Sequence, residues 1–248
     1  MNKKTLSIIN AVTFVLMIAV NVISTFGLLG VTPVKDISDR YTNLLVPMGY
    51  TFSVIWTVIY AGLLYYTIKE LVGKEDKYNI NALLIVSNIL NILWLVTFTY
   101  NMFLLSCIVI ISLLIVLYTI NDRIYKNDLI KNIFATYTSW VLVASIINTT
   151  TFLISLDTTR YNSTAIKVIS LVLLVASAIV IQFYANNASS KITYVFAISG
   201  IVANHVIKFN YLYLDLMVTA IIIVFITLFS IMLDINYNNK SLYKNETV

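Results

Sequence analysis

Residues 47–60 read PMGYTFSVIWTVIY, and the position of Trp56 within this run decides how the chain is to be read. After Pro47 and Gly49 the residues are apolar and uncharged, so the stretch reads as a membrane-crossing helix that begins near Gly49. Phe52, Trp56 and Tyr60 recur at i, i+4 and i+8, which lines them along one helix face. Trp56 therefore stands roughly 10 Å below the start of the helix at 1.5 Å per residue. Tryptophan in membrane proteins concentrates at the lipid headgroups, where the ring is apolar and the indole N–H stays wet. An indole this deep needs a partner other than the headgroup region.

The surroundings of that helix are uniformly apolar. The 248-residue chain is 60% hydrophobic and 11% charged, with a mean hydropathy of +0.90. A soluble domain carries far more charge on its surface, so the fold class is all-α, a polytopic membrane helical bundle. A hydrocarbon core about 30 Å thick takes roughly 20 apolar residues. Eight stretches qualify, at about 7–29, 49–69, 81–100, 103–120, 133–155, 165–185, 192–207 and 213–234, with seven as the alternative because the seventh is short and polar-flecked. The opening MNKK before residues 6–30 resembles a secretory signal, but the apolar run is too long and has no small-x-small cleavage site, so it reads as a retained first span.

The basic residues orient these spans. The formal charge of +5 is spread singly between apolar segments and forms no stripe, which excludes a nucleic-acid partner. With the N-terminus inside, Lys3, Lys4, Lys69, Lys74, Lys77, Arg123, Lys126, Lys131, Lys191, Lys240 and Lys244 are cytoplasmic, against Lys35, Arg40, Arg160, Lys167 and Lys208 outside. This bias places both termini in the cytoplasm of a bacterial-type inner membrane. The cytoplasmic turn NDRIYKNDLIK mixes both signs of charge and reads as a solvated loop contacting anionic headgroups.

Two absences narrow the function. No Asp, Glu, Lys or Arg falls in the interior of a span; Lys69, Glu70, Lys167, Asp215 and Asp234 sit near span ends, where they can snorkel or face water. Ion-coupled carriers keep ionisable groups at mid-membrane, so a classical ion-coupled pump is excluded. The two prolines, Pro33 and Pro47, lie in or beside the first outside loop, so the spans read as unbroken rods.

Two further helices repeat the aromatic stripe of the opening stretch. SNILNILWLVTF places Ser87, Asn91, Trp94 and Phe98 at i, i+4, i+7 and i+11, and YTSWVLVASIIN places Tyr137, Trp140, Ala144 and Asn148 at i, i+3, i+7 and i+11. Each of the three tryptophans thus rides on a stripe of a different helix. An amide in hydrocarbon is costly without a partner, so these faces turn toward protein. Two readings follow: packing seams with Asn91 and Asn148 as interhelical glue, or the walls of a pocket for a flat hydrophobic ligand, stacked on rings and oriented by a few polar groups.

The order Pro-x-Gly-x-x-Phe-x-x-x-Trp-x-x-x-Tyr, Leu-Asn-x-x-Trp, and Tyr-x-x-Trp-x-x-x-Ala-x-x-x-Asn resembles the TspO/MBR family, the tryptophan-rich sensory proteins. Pro47, Phe52, Trp56 and Tyr60 match its second helix, Leu90, Asn91 and Trp94 its third, and Tyr137, Trp140, Ala144 and Asn148 its fifth. The likeness implies a five-helix unit over residues 1–158. The remainder, 159–248, is similar to the extension of a longer bacterial branch, about three more transmembrane helices and a short cytoplasmic tail. It also implies an integral membrane receptor or carrier of sensory type, binding a porphyrin or haem-like tetrapyrrole in a tryptophan-lined pocket. Trp56 and Trp140 would face the ligand, with Phe52, Tyr60, Asn91, Trp94, Phe98, Tyr137, Ala144 and Asn148 in or near the wall.

The chain departs from that family where its first-loop Trp-Tyr segment is missing, where a double proline is reduced to Pro47, and where Thr136 replaces a proline. FLISLDTTR has no tyrosine between its aliphatic and basic residues, so the family's cholesterol-recognition pattern is absent. Other candidates are weaker. The lone Cys107 has no disulfide partner or ligand set. His205 reads as a hydrogen-bonded helix-end residue, with axial ligation of a haem iron as the alternative. Lys167 and Lys208 both sit at span ends, and no span interior holds the carboxylate counter-ion that a retinal Schiff base needs. No catalytic residue and no metal site is assigned, because no nucleophile–base pair, ligand cluster or phosphate loop is present. No cofactor is required, and porphyrin or haem enters as ligand. The expected partners are the lipid bilayer and a hydrophobic small molecule, with a homodimer as the oligomeric expectation. The alternatives are facilitated transport of a small neutral metabolite, and light-dependent porphyrin degradation beside an oxidisable indole.

Overall fold

The computed structural model describes residues 3–41, 44–73, 78–125, 129–156, 163–184, 187–207 and 214–245. Lys74, Lys77, Lys126, Arg160, Lys208 and the division at residues 158–159 lie outside the described residues, as do the side chains of Lys240 and Lys244. Every element described is helical: α1 (Lys3–Phe26), a short 3-10 turn (Leu28–Gly30), α2 (Val34–Arg40), α3 (Gly49–Leu71), α4 (Asn81–Thr99), α5 (Phe103–Arg123), α6 (Leu129–Leu156), α7 (Thr164–Tyr184), α8 (Ala188–Ile207) and α9 (Leu214–Asn245). All but α2 are long and apolar enough to cross a membrane, which gives eight candidate spans among the described residues. The chain is a polytopic helical bundle.

The observed spans follow the expected ones within a few residues, and the differences have a common cause. α6 and α8 each begin four residues earlier than their apolar stretches, at Leu129 and Ala188. Hydropathy stops at Lys131 and Lys191, but backbone hydrogen bonding does not. Lys131 Nζ donates to the Asn121 carbonyl, and Lys191 Nζ pairs with Asp234 and donates to Ser230 Oγ. The short α2 was not expected. It follows Pro33, whose fixed φ suits a helix start, and it carries Asp36 in its first turn and Arg40 in its last, the favourable dipole order. Its Ile37 is fully buried against Phe98 and Phe103.

The sharp α4–α5 connection is the turn at residues 100–102 expected between those spans. Asn101 takes the left-handed conformation (φ 59°), Met102 N donates to Thr97 O at 2.8 Å and Asn101 N to Phe98 O at 2.9 Å. This is a Schellman closure with Asn in the place glycine usually takes.

α6 is the central helix. It packs against α3, α5, α7 and α8 and buries residues all round its circumference. α1, α7 and α9 lie at the periphery, and their exposed Val12, Val15, Val172, Phe225 and Phe229 face hydrocarbon. Lipid tails are as apolar as these side chains, so packing and polar contacts hold such helices together more than hydrophobic burial does. Two glycines let backbones approach closely. A Cβ on Gly62 would stand 2.8 Å from Ile133 Cγ2 across the α3–α6 crossing, and one on Gly200 of α8 would collide with Thr51 of α3.

The last three helices are joined to the first five by polar contacts as well as packing. Met48 N donates to Gly200 O at 3.1 Å, Asn204 Nδ2 to Val46 O at 2.8 Å, and Asn187 Nδ2 to Asn132 Oδ1 at 2.9 Å. The segment that leads into α3 is therefore held from behind by α8.

Candidate ligand-binding site

α3 does begin at Gly49, so Trp56 lies as deep as its spacing implied. The exposed aromatic residues near helix ends include five tyrosines, Tyr50, Tyr65, Tyr100, Tyr118 and Tyr125, with Phe26 and Phe183, and none of the tryptophans. Tyrosine thus supplies the interfacial belt, while the indoles turn inward.

The three tryptophan stripes converge. The Trp56 ring stacks on Tyr60 (centroids 5.2 Å apart) and on Trp94 (6.0 Å), and meets Tyr137 (6.1 Å) and Trp140 (6.2 Å) edge to face. Phe52 lies edge-on to Trp140 at 5.0 Å. Offset and edge-to-face pairs of this kind contribute about 0.5–1.5 kcal/mol each beyond burial. Trp140 and Tyr137 are fully enclosed, Trp94 is buried, and Trp56, Tyr60 and Phe52 are half-buried on the α3 side. Trp56 is the common neighbour, and its indole fills the space between α3, α4 and α6.

Polar groups around the cluster divide into partnered and orphaned. Asn91 Nδ2 donates to Tyr137 Oη at 2.9 Å, and Asn91 Oδ1 accepts from Asn21 Nδ2 of α1 at 3.2 Å. These bonds fix the azimuths of α1, α4 and α6 around the rings. By contrast Trp94 Nε1, Trp140 Nε1 and Tyr60 Oη are buried without a hydrogen-bond partner. A buried donor left unmade costs about 1–3 kcal/mol, and three on one cluster form a set of donors with nothing to bond.

The other expected site residues are placed differently. Phe98 reaches Trp94 at 6.3 Å but packs mainly with Phe103 and Ile37 in a second, smaller core. Ala144 is buried in the main core. Asn148 faces α5, where its Nδ2 donates to Ser106 Oγ at 3.1 Å and Cys107 Sγ at 3.3 Å, so it serves as interhelical glue and Cys107 is a buried contact of that seam. His205 Nε2 stands 2.6 Å from Leu44 O; a carbonyl only accepts, so Nε2 carries the proton. That is the hydrogen-bonded helix-end arrangement, and it occupies the chain's sole imidazole at this nitrogen. Lys167 pairs with Asp215 at 2.8 Å, an ion pair at the ends of α7 and α9.

Glu70 corrects the expectation that charges at span ends snorkel or face water. It is only 3% exposed and accepts from Asn10 Nδ2 at 2.7 Å. Asn10 Oδ1 in turn accepts from Asn88 Nδ2 at 3.1 Å. This chain of amides between α1, α3 and α4 was missed in the sequence, although a signal was there. Asn10, Phe14, Met17 and Asn21 stand at i, i+4, i+7 and i+11, the same spacing that marked the tryptophan stripes, but without a tryptophan to draw attention to it.

The architecture and the cluster define a multi-pass helical membrane protein with an aromatic centre built by three of its spans. The chain belongs to the TSPO-like protein family, whose model it matches over residues 7–233. The match runs through α7 and α8 and most of α9, well past the five helices on which the resemblance rested. No curated protein and no solved structure matches it.

Proposed function

We propose that this protein is a membrane receptor or carrier for a flat, hydrophobic, tetrapyrrole-like ligand bound at the Trp56–Trp94–Trp140 cluster, with sensory use of that binding and both termini on the cytoplasmic side. The observation that carries the reading is the trio of unpartnered donors, Trp94 Nε1, Trp140 Nε1 and Tyr60 Oη, set among stacked rings. A tetrapyrrole offers a wide π-face to the rings and carboxylates or carbonyls to the donors, so it matches both halves of the site. Trp56 fills the centre, so entry requires its indole to swing away, and its half-buried position on α3 is the one from which it can. The cluster offers no imidazole, and His205 Nε2 is engaged by Leu44 O. The ligand is held by its face and its periphery.

Titration of the purified protein with protoporphyrin, followed by tryptophan fluorescence, tests this. Saturable quenching is expected in the wild type, weakened in both Trp56→Phe and Trp140→Phe, since each substitution removes one wall of a shared site. Quenching that is absent, or that neither substitution changes, would sink the proposal.

A further inference from the structure

The unsatisfied groups at the aromatic centre are donors. Trp94 Nε1, Trp140 Nε1 and Tyr60 Oη are buried without a partner; an indole N–H can only donate, and a phenol has a proton to give. Tyr137 Oη already accepts from the Asn91 amide, so its own proton adds a fourth donor. Asn91 Oδ1, the amide acceptor beside the rings, is filled by Asn21.

Trp56 sets the size of that centre. Its indole lies between 5.2 and 6.2 Å from the rings of Tyr60, Trp94, Tyr137 and Trp140, so a single bicyclic ring system occupies the space among them. Swinging it aside frees a slot of bicyclic size, which a tetrapyrrole needs widened and a two-ring ligand fills as it stands.

The route to the slot runs through lipid. Trp56 stands roughly 10 Å below the start of α3 at 1.5 Å per residue, within the hydrocarbon core, and its stripe is half-buried. One step round the helix, Gly49, Ser53, Thr57 and Ala61 recur every fourth residue, all small and all exposed. Ser53 Oγ and Thr57 Oγ1 donate to Gly49 O and Ser53 O, so their protons are spent on the backbone. The strip is a shallow furrow about 18 Å long, suited to an aliphatic chain.

We propose that the cluster binds the head of a membrane quinone of the naphthoquinone type, its carbonyl oxygens accepting from Trp94 Nε1, Trp140 Nε1 and Tyr60 Oη and its tail lying along the Gly49–Ala61 furrow. The site is the one in the tetrapyrrole reading, and the ligand is a different one. A quinone is flat, carries acceptors and no donor, and reaches the slot from the bilayer. Reduction puts a proton on each carbonyl oxygen, and those O–H groups meet indoles that cannot accept. The oxidised form is therefore favoured, and occupancy reports the redox state of the quinones in the membrane. By linkage, a tenfold preference lowers the midpoint potential of the bound two-electron couple by about 30 mV.

The test is retention of menaquinone-4 by the full chain through size-exclusion chromatography in detergent, above that carried by empty micelles, once as the quinone and once after borohydride reduction under argon. Roughly one quinone per chain is expected, with the quinol roughly tenfold weaker, the scale of one hydrogen bond left unmade. Trp94→Phe and Tyr60→Phe each keep a ring and remove a donor, so each should lower quinone retention several-fold and narrow the gap between the two forms. Thr57→Trp, at an exposed position, should weaken menaquinone-4 to the level of tailless menadione and leave menadione unchanged. Equal retention of quinone and quinol by the wild type, which needs no variant to fold, or quinone retention untouched by Trp94→Phe and Tyr60→Phe, would overturn the proposal. Protoporphyrin titrated in parallel separates the two ligands: saturable quenching with no menaquinone retained overturns the quinone site alone, and menaquinone retained without quenching overturns the tetrapyrrole reading alone.

Discussion

Asn91 shows how much one side chain decides in this molecule. Its amide donates to Tyr137 Oη and accepts from Asn21, so a single residue at mid-helix sets three helices in register around Trp56. Replacing it by leucine keeps the volume but strands both partners. Asn91→Leu is expected to destabilise the protein by about 1–3 kcal/mol, read as a lowered unfolding midpoint in detergent. Intramembrane hydrogen bonds individually average about 0.6 kcal/mol, so Tyr137→Phe alone should cost less than Asn91→Leu. A wild-type midpoint for Asn91→Leu would mean that the network is passive. The stripe pattern made Asn91 legible as a residue that faces protein. It did not say which protein atom it meets, because the partners stand 46 and 70 residues away. Asn148 had the same local signature and took a different role, pinned to Ser106 and Cys107.

At the scale of the element, the long helices were legible because their criteria are local. Hydropathy sets the spans, and the i, i+4, i+7 spacing sets which face turns inward. The ends of α6 and α8 were less so, because a lysine that ends an apolar run is kept inside a helix once a tertiary partner receives it. Crossings between elements rest on shape. α8 approaches α3 closely enough that Gly200 has no room for a side chain beside Thr51, and the same contact lets Gly200 O accept from Met48 N. Gly200→Val should separate the two helices and break that bond, at a cost of about 1–3 kcal/mol or more from overpacking. Thermal unfolding followed by loss of monodisperse protein is the measurement, and an unchanged midpoint would show that the crossing yields freely.

For the whole molecule, the family match over residues 7–233 and the contacts of α8 point the same way. α8 covers α6, bonds to Val46 and Leu44 in the segment before α3, and packs against α9. A chain ended after residue 158 should therefore fail to give a monodisperse five-helix protein in detergent, since Ala135 O and Thr136 Oγ1 of α6, which accept from Ser190 Oγ and Thr193 Oγ1 of α8, would meet lipid or detergent instead. Recovery of a folded truncated chain that still quenches with protoporphyrin would show that the first five helices stand alone.

The sequence by itself determined the class of protein, the eight spans, the inward turn of three tryptophan stripes and the depth of Trp56, all properties read within a window of some twenty residues. Only the tertiary structure decided that those stripes meet at one indole, that Glu70 and Lys191 are enclosed with partners, and that Asn148 belongs to a different seam. The reason is physical. A helix's own pattern fixes which of its faces is buried, while the azimuth and height of that face against its neighbours come from close packing among chain segments far apart in sequence.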